Sequence, residues 1–327
     1  MKTQQPHPTL LSFDILRIAA MTLVALQHLL STLNKNGPSL FRTLDLGQMG
    51  VACFCAISGY FSLHASSSGN IQWLTRRLQR VFIPYWISLL AIFAANAFTH
   101  YKPVSTGLVI SEFAGTGLFT HADSLIGVHV WFISLILLCY AMALCLRFSR
   151  RCFPALFIIA FALVGWNPLI SSHLISFLCG CLLAEKSGSA SRRWVAIGIS
   201  LGCIAAIFIL NLQYAYPLIA TSLILLCASS SSVSSHWLGV ASNATYEFFL
   251  VHGPIYLGLA LYAHWGLFAN MIFGTTIAIF ATIVLCKIEN AVLVIVAMFY
   301  RYYAVDFNGG LSVGPVPTSG EETRSNE

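Results

Sequence analysis

The sequence predicts an all-α, polytopic membrane protein: a bundle of about ten transmembrane helices with both termini in the cytoplasm. Three observations predict it. The 327 residues are 57% hydrophobic and only 9% charged, a balance that a water-soluble domain of this length does not show. Apolar runs long enough to cross a bilayer recur along the chain. Between them, Lys and Arg collect in alternate connections, as the positive-inside rule requires. The net charge of +6 therefore calls for no nucleic-acid partner.

The first apolar run, from near residue 12, spans about 20 residues and has no small-residue cleavage pattern behind it. It reads as a retained helix rather than a signal peptide. Further runs begin near residues 44, 81, 125, 153, 169, 194, 213, 243 and 269. The runs from 153 and 169 share one apolar region, broken at Trp166-Asn167-Pro168, where Asn-Pro favours a turn. With the N-terminus inside, the cytoplasmic connections hold Arg76, Arg77 and Arg80, then Arg147, Arg150 and Arg151, then Lys186, Arg192 and Arg193, and finally Arg301. The opposite side holds Lys35, Arg42 and Lys102. Tyr101 to Asp123 is the longest outer loop and mixes Gly, Thr and Ser into apolar positions, which reads as a re-entrant or lid-like segment. The expected organisation is a membrane domain over residues 1–304 and a cytoplasmic tail over 305–327. The Gly, Pro, Ser and Glu of that tail cannot bury a core, and it is expected to be disordered. The chain lacks a visible internal repeat, which counts against a transporter fold.

All ten cysteines fall within an expected span or at its cytoplasmic edge. Cys53/Cys55 and Cys179/Cys181 are C-x-C pairs, a spacing that zinc sites do not usually use, and no outer loop supplies a pair for oxidation. They read as small packing residues, and no metal is expected.

The most informative polar feature lies in the first span, where Asp14, Arg17 and His28 interrupt LLSFDILRIAAMTLVALQHLLSTL. From Arg17 to His28 is about three turns at roughly 3.6 residues each, so both side chains leave the helix on nearly one face, with Asp14 one turn before Arg17. Ionisable groups at bilayer depth are costly and, where they persist, face a bundle interior or a wet cavity.

Taken in order, the polar motifs resemble those of the acyltransferase 3 family, integral membrane enzymes that move acyl groups, commonly acetyl, onto sugars. Asp14-Ile-Leu-Arg17 followed by His28 looks like the family's opening signature. Gly50-Val51 through Ile57-Ser58-Gly59-Tyr60 resembles its second-helix motif, and Trp73-Leu-Thr-Arg76-Arg77-Leu-Gln-Arg80 leading to Ile83-Pro84-Tyr85-Trp86 its basic approach to the third helix. His129-Val-Trp131-Phe132 with Tyr140, then Phe177-Leu-Cys-Gly180, then Tyr246 to Leu250 with His252 and Pro254, follow in the family's order. The resemblance covers roughly residues 10 to 300. Ala52, Cys55 and Phe249 depart from residues common in the family, which bears on acceptor choice more than on chemistry.

The resemblance implies transfer of an acyl group, acetyl above all, from cytoplasmic acyl-CoA to a hydroxyl of a cell-surface or lipid-linked glycan. A hydroxyl attacks a thioester well only when a base takes its proton, and histidine suits that task near neutral pH. His28 is the expected base; its alternative reading is a buried histidine bonded to a neighbouring helix. Arg17 keeps its charge and must find an anion or water, and Asp14 is expected to hold it towards phosphate or the reacting group, or simply to pair with it. Arg77 and Arg80, with Arg76, are the expected contacts for the phosphates of acetyl-CoA, which guanidinium groups bind bidentately. Ser58, Trp131, Tyr246, Glu247 and His252 form a second tier of substrate-binding candidates. Glu247 and His252 are five residues apart, off a common face, so a shared metal site is not expected. The expected partners are acyl-CoA, the glycan acceptor and the lipid bilayer, with a homo-oligomer compatible with the sequence. The expected location is the bacterial cytoplasmic (inner) membrane. The alternatives are a transporter of a small-molecule or lipid-linked substrate using an Asp/Arg/His path, and a non-catalytic scaffold, which leaves the polar stripe unexplained.

Overall fold

The computed structural model describes residues 11–33, 45–64, 69–120, 131–185, 215–229, 235–263 and 267–309, with the side chains of the last helix described to residue 298. The span expected near residue 194 lies outside these residues. So do Lys35, Arg42, His129, Lys186, Arg192, Arg193 and the tail beyond 309.

Every regular element among the described residues is a helix. In chain order the α-helices are α1 (Leu11–Leu33), α2 (Leu46–His64), α3 (Asn70–Thr99), α4 (Thr106–Phe113), α5 (Gly117–Thr120), α6 (Trp131–Phe148), α7 (Phe153–Ala162), α8 (Pro168–Glu185), α9 (Tyr216–Ser229), α10 (His236–Asn243), α11 (Thr245–Tyr262), α12 (Leu267–Ala269) and α13 (Thr275–Gly309), with short 3-10 turns at Arg150–Cys152 and Leu163–Gly165 and a π-helical turn at Asn270–Gly274. Among the described residues five stretches, Leu11–Ser31, Leu46–Leu63, Asn70–Thr99, Trp131–Phe148 and Leu267–Met298, are long and apolar enough to cross a membrane, and Pro168–Ala184 and Tyr216–Ala228 are shorter apolar helices. The chain is thus an all-helical, multi-pass membrane protein. The compact unit described below ends at Cys286; Lys287 onward, the later part of α13, forms a second unit.

Glycines set how closely the helices approach. α2 packs on both α1 and α8. A Cβ at Gly59 would collide with the Phe177 carbonyl, one at Gly180 with the Ala56 carbonyl, and one at Gly50 with the Ala20 carbonyl. Ser58-Gly59 and Phe177-x-x-Gly180, read separately in the sequence, are therefore two halves of one backbone-to-backbone crossing, and Gly50 makes the equivalent crossing with α1. Small residues allow such approaches between membrane helices, where packing rather than exclusion from water drives association.

The break expected at Trp166-Asn167-Pro168 is present. A 3-10 turn over Leu163–Gly165 ends α7, and the Asn167 side-chain oxygen accepts from the Leu169 and Ile170 amides at 3.1 Å each, capping α8 at its first turn. At about 1.5 Å per residue, α7 is too short to cross a bilayer alone.

Two further expectations change. The basic connection of Arg76, Arg77 and Arg80 is not a loop: α3 begins at Asn70, so these arginines project from its first turns. The segment after Tyr101 contains two helices, α4 and α5, and is tied down. Tyr85 Oη donates to the Glu112 carbonyl at 2.6 Å, Trp86 Nε1 to the Phe113 carbonyl at 2.9 Å, and Ser134 Oγ to the Gly115 carbonyl at 2.6 Å. Asp45, just before α2, has its carboxyl pushed above the ordinary range by burial, partly offset by a hydrogen bond from the Gln48 backbone.

Internal prolines shape α3 and α11. Pro254 has no N–H for the Leu250 carbonyl four residues back. Ser88 Oγ of α3 donates to that carbonyl at 3.2 Å. Beside Pro84, Tyr246 Oη donates to the Val81 carbonyl at 2.9 Å. These two bonds fasten α11 to α3, and so fix the helix that carries His252. The described cysteines are all free.

Candidate active site

The site has two ends, joined by α1. At one end Asp14 is 1% exposed, and its Oδ1 accepts from Arg17 Nη1 at 3.2 Å. The same nitrogen donates to Ser242 Oγ of α10 at 3.3 Å, while the guanidinium lies over the Phe61 ring of α2 at 5.1 Å. Phe61 is braced by Phe13 at 5.1 Å. Asp14, Ser242 and Phe61 thus hold Arg17 from three helices, and its orientation is built rather than left to a flexible side chain. Asp14 Oδ2 is buried without a hydrogen-bond partner, which leaves one acceptor on that carboxylate unused.

Arg17 lies within electrostatic reach of Arg77 and Arg80 of α3. Arg77 lies within electrostatic reach of the Tyr140 side chain of α6 and sits over the Trp73 ring at 6.0 Å. Arg76 and Arg80 are exposed and Arg77 half-buried. The structure therefore gathers three of the four sequence-predicted arginines, Arg17, Arg77 and Arg80, around one region. Like charges so placed repel, and an anion between them relieves that repulsion.

At the other end are the histidines. His28 is about 16 Å along α1 from Arg17 at roughly 1.5 Å per residue, and its ring meets that of His252 of α11 with centroids 5.1 Å apart at 72°. His252 is 0% exposed. Phe248 stacks on it at 5.5 Å, with Phe249 at 6.0 Å and Tyr256 at 5.7 Å, so the imidazole sits in an aromatic box of these three side chains and meets His28 as a fourth ring. His252 Nδ1 is 3.0 Å from the Phe248 carbonyl. A carbonyl only accepts, so Nδ1 carries the proton and, in the neutral ring, Nε2 is the basic nitrogen. His252 belongs to the second tier by sequence; the structure brings it into ring contact with His28.

The remaining candidates separate. Tyr246 fastens α11 to α3 by its Val81 bond. Glu247 is buried in the first turn of α11. Ser58 is half-buried beside the Gly59 crossing, and its carbonyl accepts from Ser62 Oγ at 2.7 Å. Trp131 stacks on His173 of α8 at 5.8 Å, and His173 Nε2 pairs with Gln48 Oε1 of α2 at 2.8 Å.

Ser242, Gln48 and His173 were not singled out from sequence, Trp73 entered only as the head of the basic motif before the third helix, and Arg147 only through the charge of its connection. His173, a lone histidine in an apolar run, carried the same signal as His28. Ser242 carried none, because its importance comes from α10 folding over α1. Among the described residues there is no group of three or more His, Cys, Asp or Glu placed to hold a metal ion.

No curated protein and no solved structure matches the chain. A family model described as an acyltransferase domain, Acyl_transf_3, matches residues 10–288, a stretch that takes in both ends of the site and every candidate residue named above. Motif order, all-helical membrane architecture and this match agree, and the chain belongs to the acyltransferase 3 family.

Proposed function

We propose that this membrane acyltransferase moves an acetyl group from cytoplasmic acetyl-CoA to a hydroxyl of a cell-surface or lipid-linked glycan. The observation that carries the reading is that one helix holds a multiply braced arginine at one end and a histidine paired with a second histidine at the other. Arg17, Arg77 and Arg80 hold the donor's phosphates, with Arg76 at their edge, and the donor's flexible arm carries the thioester along α1 towards His28. There His28 takes the proton of the acceptor hydroxyl as its oxygen attacks the thioester carbonyl. The tetrahedral adduct then collapses with cleavage of the carbon–sulfur bond. The coenzyme A thiolate leaves and takes up the proton from the histidine. Ester and free thiol are the products, and the base is regenerated.

His252, held in its box, positions His28 and keeps an unprotonated nitrogen available at this depth. Glu247, Ser58 and Trp131 remain candidates for acceptor contact. The protein acts in the bacterial inner membrane, with both termini cytoplasmic and about ten spans in the full bundle. Purified protein incubated with radiolabelled acetyl-CoA and a surface glycan tests this reading. Labelled ester and stoichiometric free thiol are expected; glycan movement across vesicles without thiol release would favour transport instead.

A further inference from the structure

The arginine end extends beyond the residues that the transfer reading requires. Trp73, one turn before Arg77 on α3, is 2% exposed and has two guanidinium groups over its ring. Arg77 is 6.0 Å from its ring, and Arg147 of α6 is 5.1 Å from it. Tyr140 meets the same indole edge-on at 5.9 Å. Arg147 Nε donates to Asn70 Oδ1 at 3.1 Å and its Nη1 to the Ser62 carbonyl at 3.2 Å, so its guanidinium plane is fixed against α2 and α3. Arg147 is also within electrostatic reach of Arg77 and Arg76. From sequence Arg147 has a topological role only, but two cations over one indole ring, with Arg147 fixed by neutral partners, form a built site. The indole nitrogen of Trp73, a donor and never an acceptor, is buried without a hydrogen-bond partner. A buried donor among cations is matched by an anionic oxygen.

We propose that Arg147, Trp73 and Arg77 form a second phosphate-binding site, distinct from Arg17, that takes the ribose 3′-phosphate of the donor. This rests on the transfer reading for the identity of the donor. A phosphate monoester supplies the charge that guanidinium groups bind well and an oxygen for the indole N–H.

The test compares acetyl-CoA with its 3′-dephospho analogue as donors, and CoA with dephospho-CoA in direct binding, using full-length protein in nanodiscs. Wild-type protein is expected to favour the phosphorylated form by about ten-fold or more in KM and in Kd, as a charge-assisted contact provides. Arg147→Ala is expected to abolish that preference by weakening only the phosphorylated form, with kcat retained. Arg147→Lys and Trp73→Phe are expected to reduce it partly, because neither supplies the same set of donors. Equal weakening of both forms, or an undiminished preference, overturns the assignment. If Arg147→Ala does not accumulate, full preference in both milder variants overturns it instead. Loss of the wild-type preference when phosphatidylglycerol replaces phosphatidylcholine in the disc would give the site to a lipid phosphate and also overturn it. If no form turns over a CoA thioester, the transfer reading fails, while the binding comparison still decides whether this site reads the 3′-phosphate.

Discussion

His28 and His252, from the first span and from α11, meet ring edge to ring face at 5.1 Å and 72°. Neither belongs to a motif containing the other, and α11 is held in place by two bonds to α3 at carbonyls beside or freed by prolines. Replacement of His28 by Ala is expected to lower kcat by at least about 100-fold, as removal of a general base does, with the protein still inserted and helical. His252→Phe keeps an aromatic ring in the box but removes the nitrogens. It is expected to lower kcat by about 10-fold or more with the KM for acetyl-CoA unchanged. Steady-state kinetics on the two variants decide this; normal turnover in His28→Ala would remove it from the mechanism.

Arg17 is oriented by Asp14, Ser242 and Phe61, and the proposed donor contact uses that orientation as well as the charge. Arg17→Lys preserves the charge but not the planar fork, and is expected to raise the KM for acetyl-CoA by about 10-fold. Ser242→Ala should raise it by a smaller factor. Equal activity of Arg17→Lys and wild type would show that only a point charge is needed there.

Arg77→Ala and Arg80→Ala are each expected to weaken donor binding by about 10-fold or more, with lysine rescuing only in part. Isothermal titration with CoA measures this. Unchanged affinity in both alanine variants would leave these arginines a topological role.

The α2–α8 crossing has no room for a methyl group. Gly180→Ala places a Cβ on the Ala56 carbonyl and is expected to destabilise the bundle by about 1–3 kcal/mol, the usual range for overpacking. Gly258, in α11, has no atom within 4 Å of an added Cβ. Gly258→Ala should therefore be neutral or stabilising by up to about 1 kcal/mol. Thermal unfolding in detergent compares the two.

The sequence made the helical class and the polar face of α1 legible, because both depend on local periodicity and on the cost of charge in an apolar run. The Asn167 break was legible for the same reason, being a matter of a few adjacent residues. The partners across helices were not. Gly59 and Gly180 look like isolated small residues until α2 and α8 cross, and His252 shows no sign in the sequence of facing His28. Composition also cannot distinguish a basic loop from a helical extension with basic side chains. Arg76, Arg77 and Arg80 therefore read as a connection, although Trp73 and Arg77, four residues apart, already shared a helical face.

In the proposed reaction the donor's arm runs from the arginine end of α1 to His28, and the acceptor hydroxyl is expected to reach His28 from the opposite face of the membrane. Sealed vesicles with oriented protein, acetyl-CoA confined to one side and a glycan acceptor to the other, test it most directly. The expected result is labelled glycan when acetyl-CoA is on the side of the arginines and the acceptor on the opposite side, with no labelling when the two are exchanged. Labelling only when both share the arginine side would contradict the account and place acylation before export.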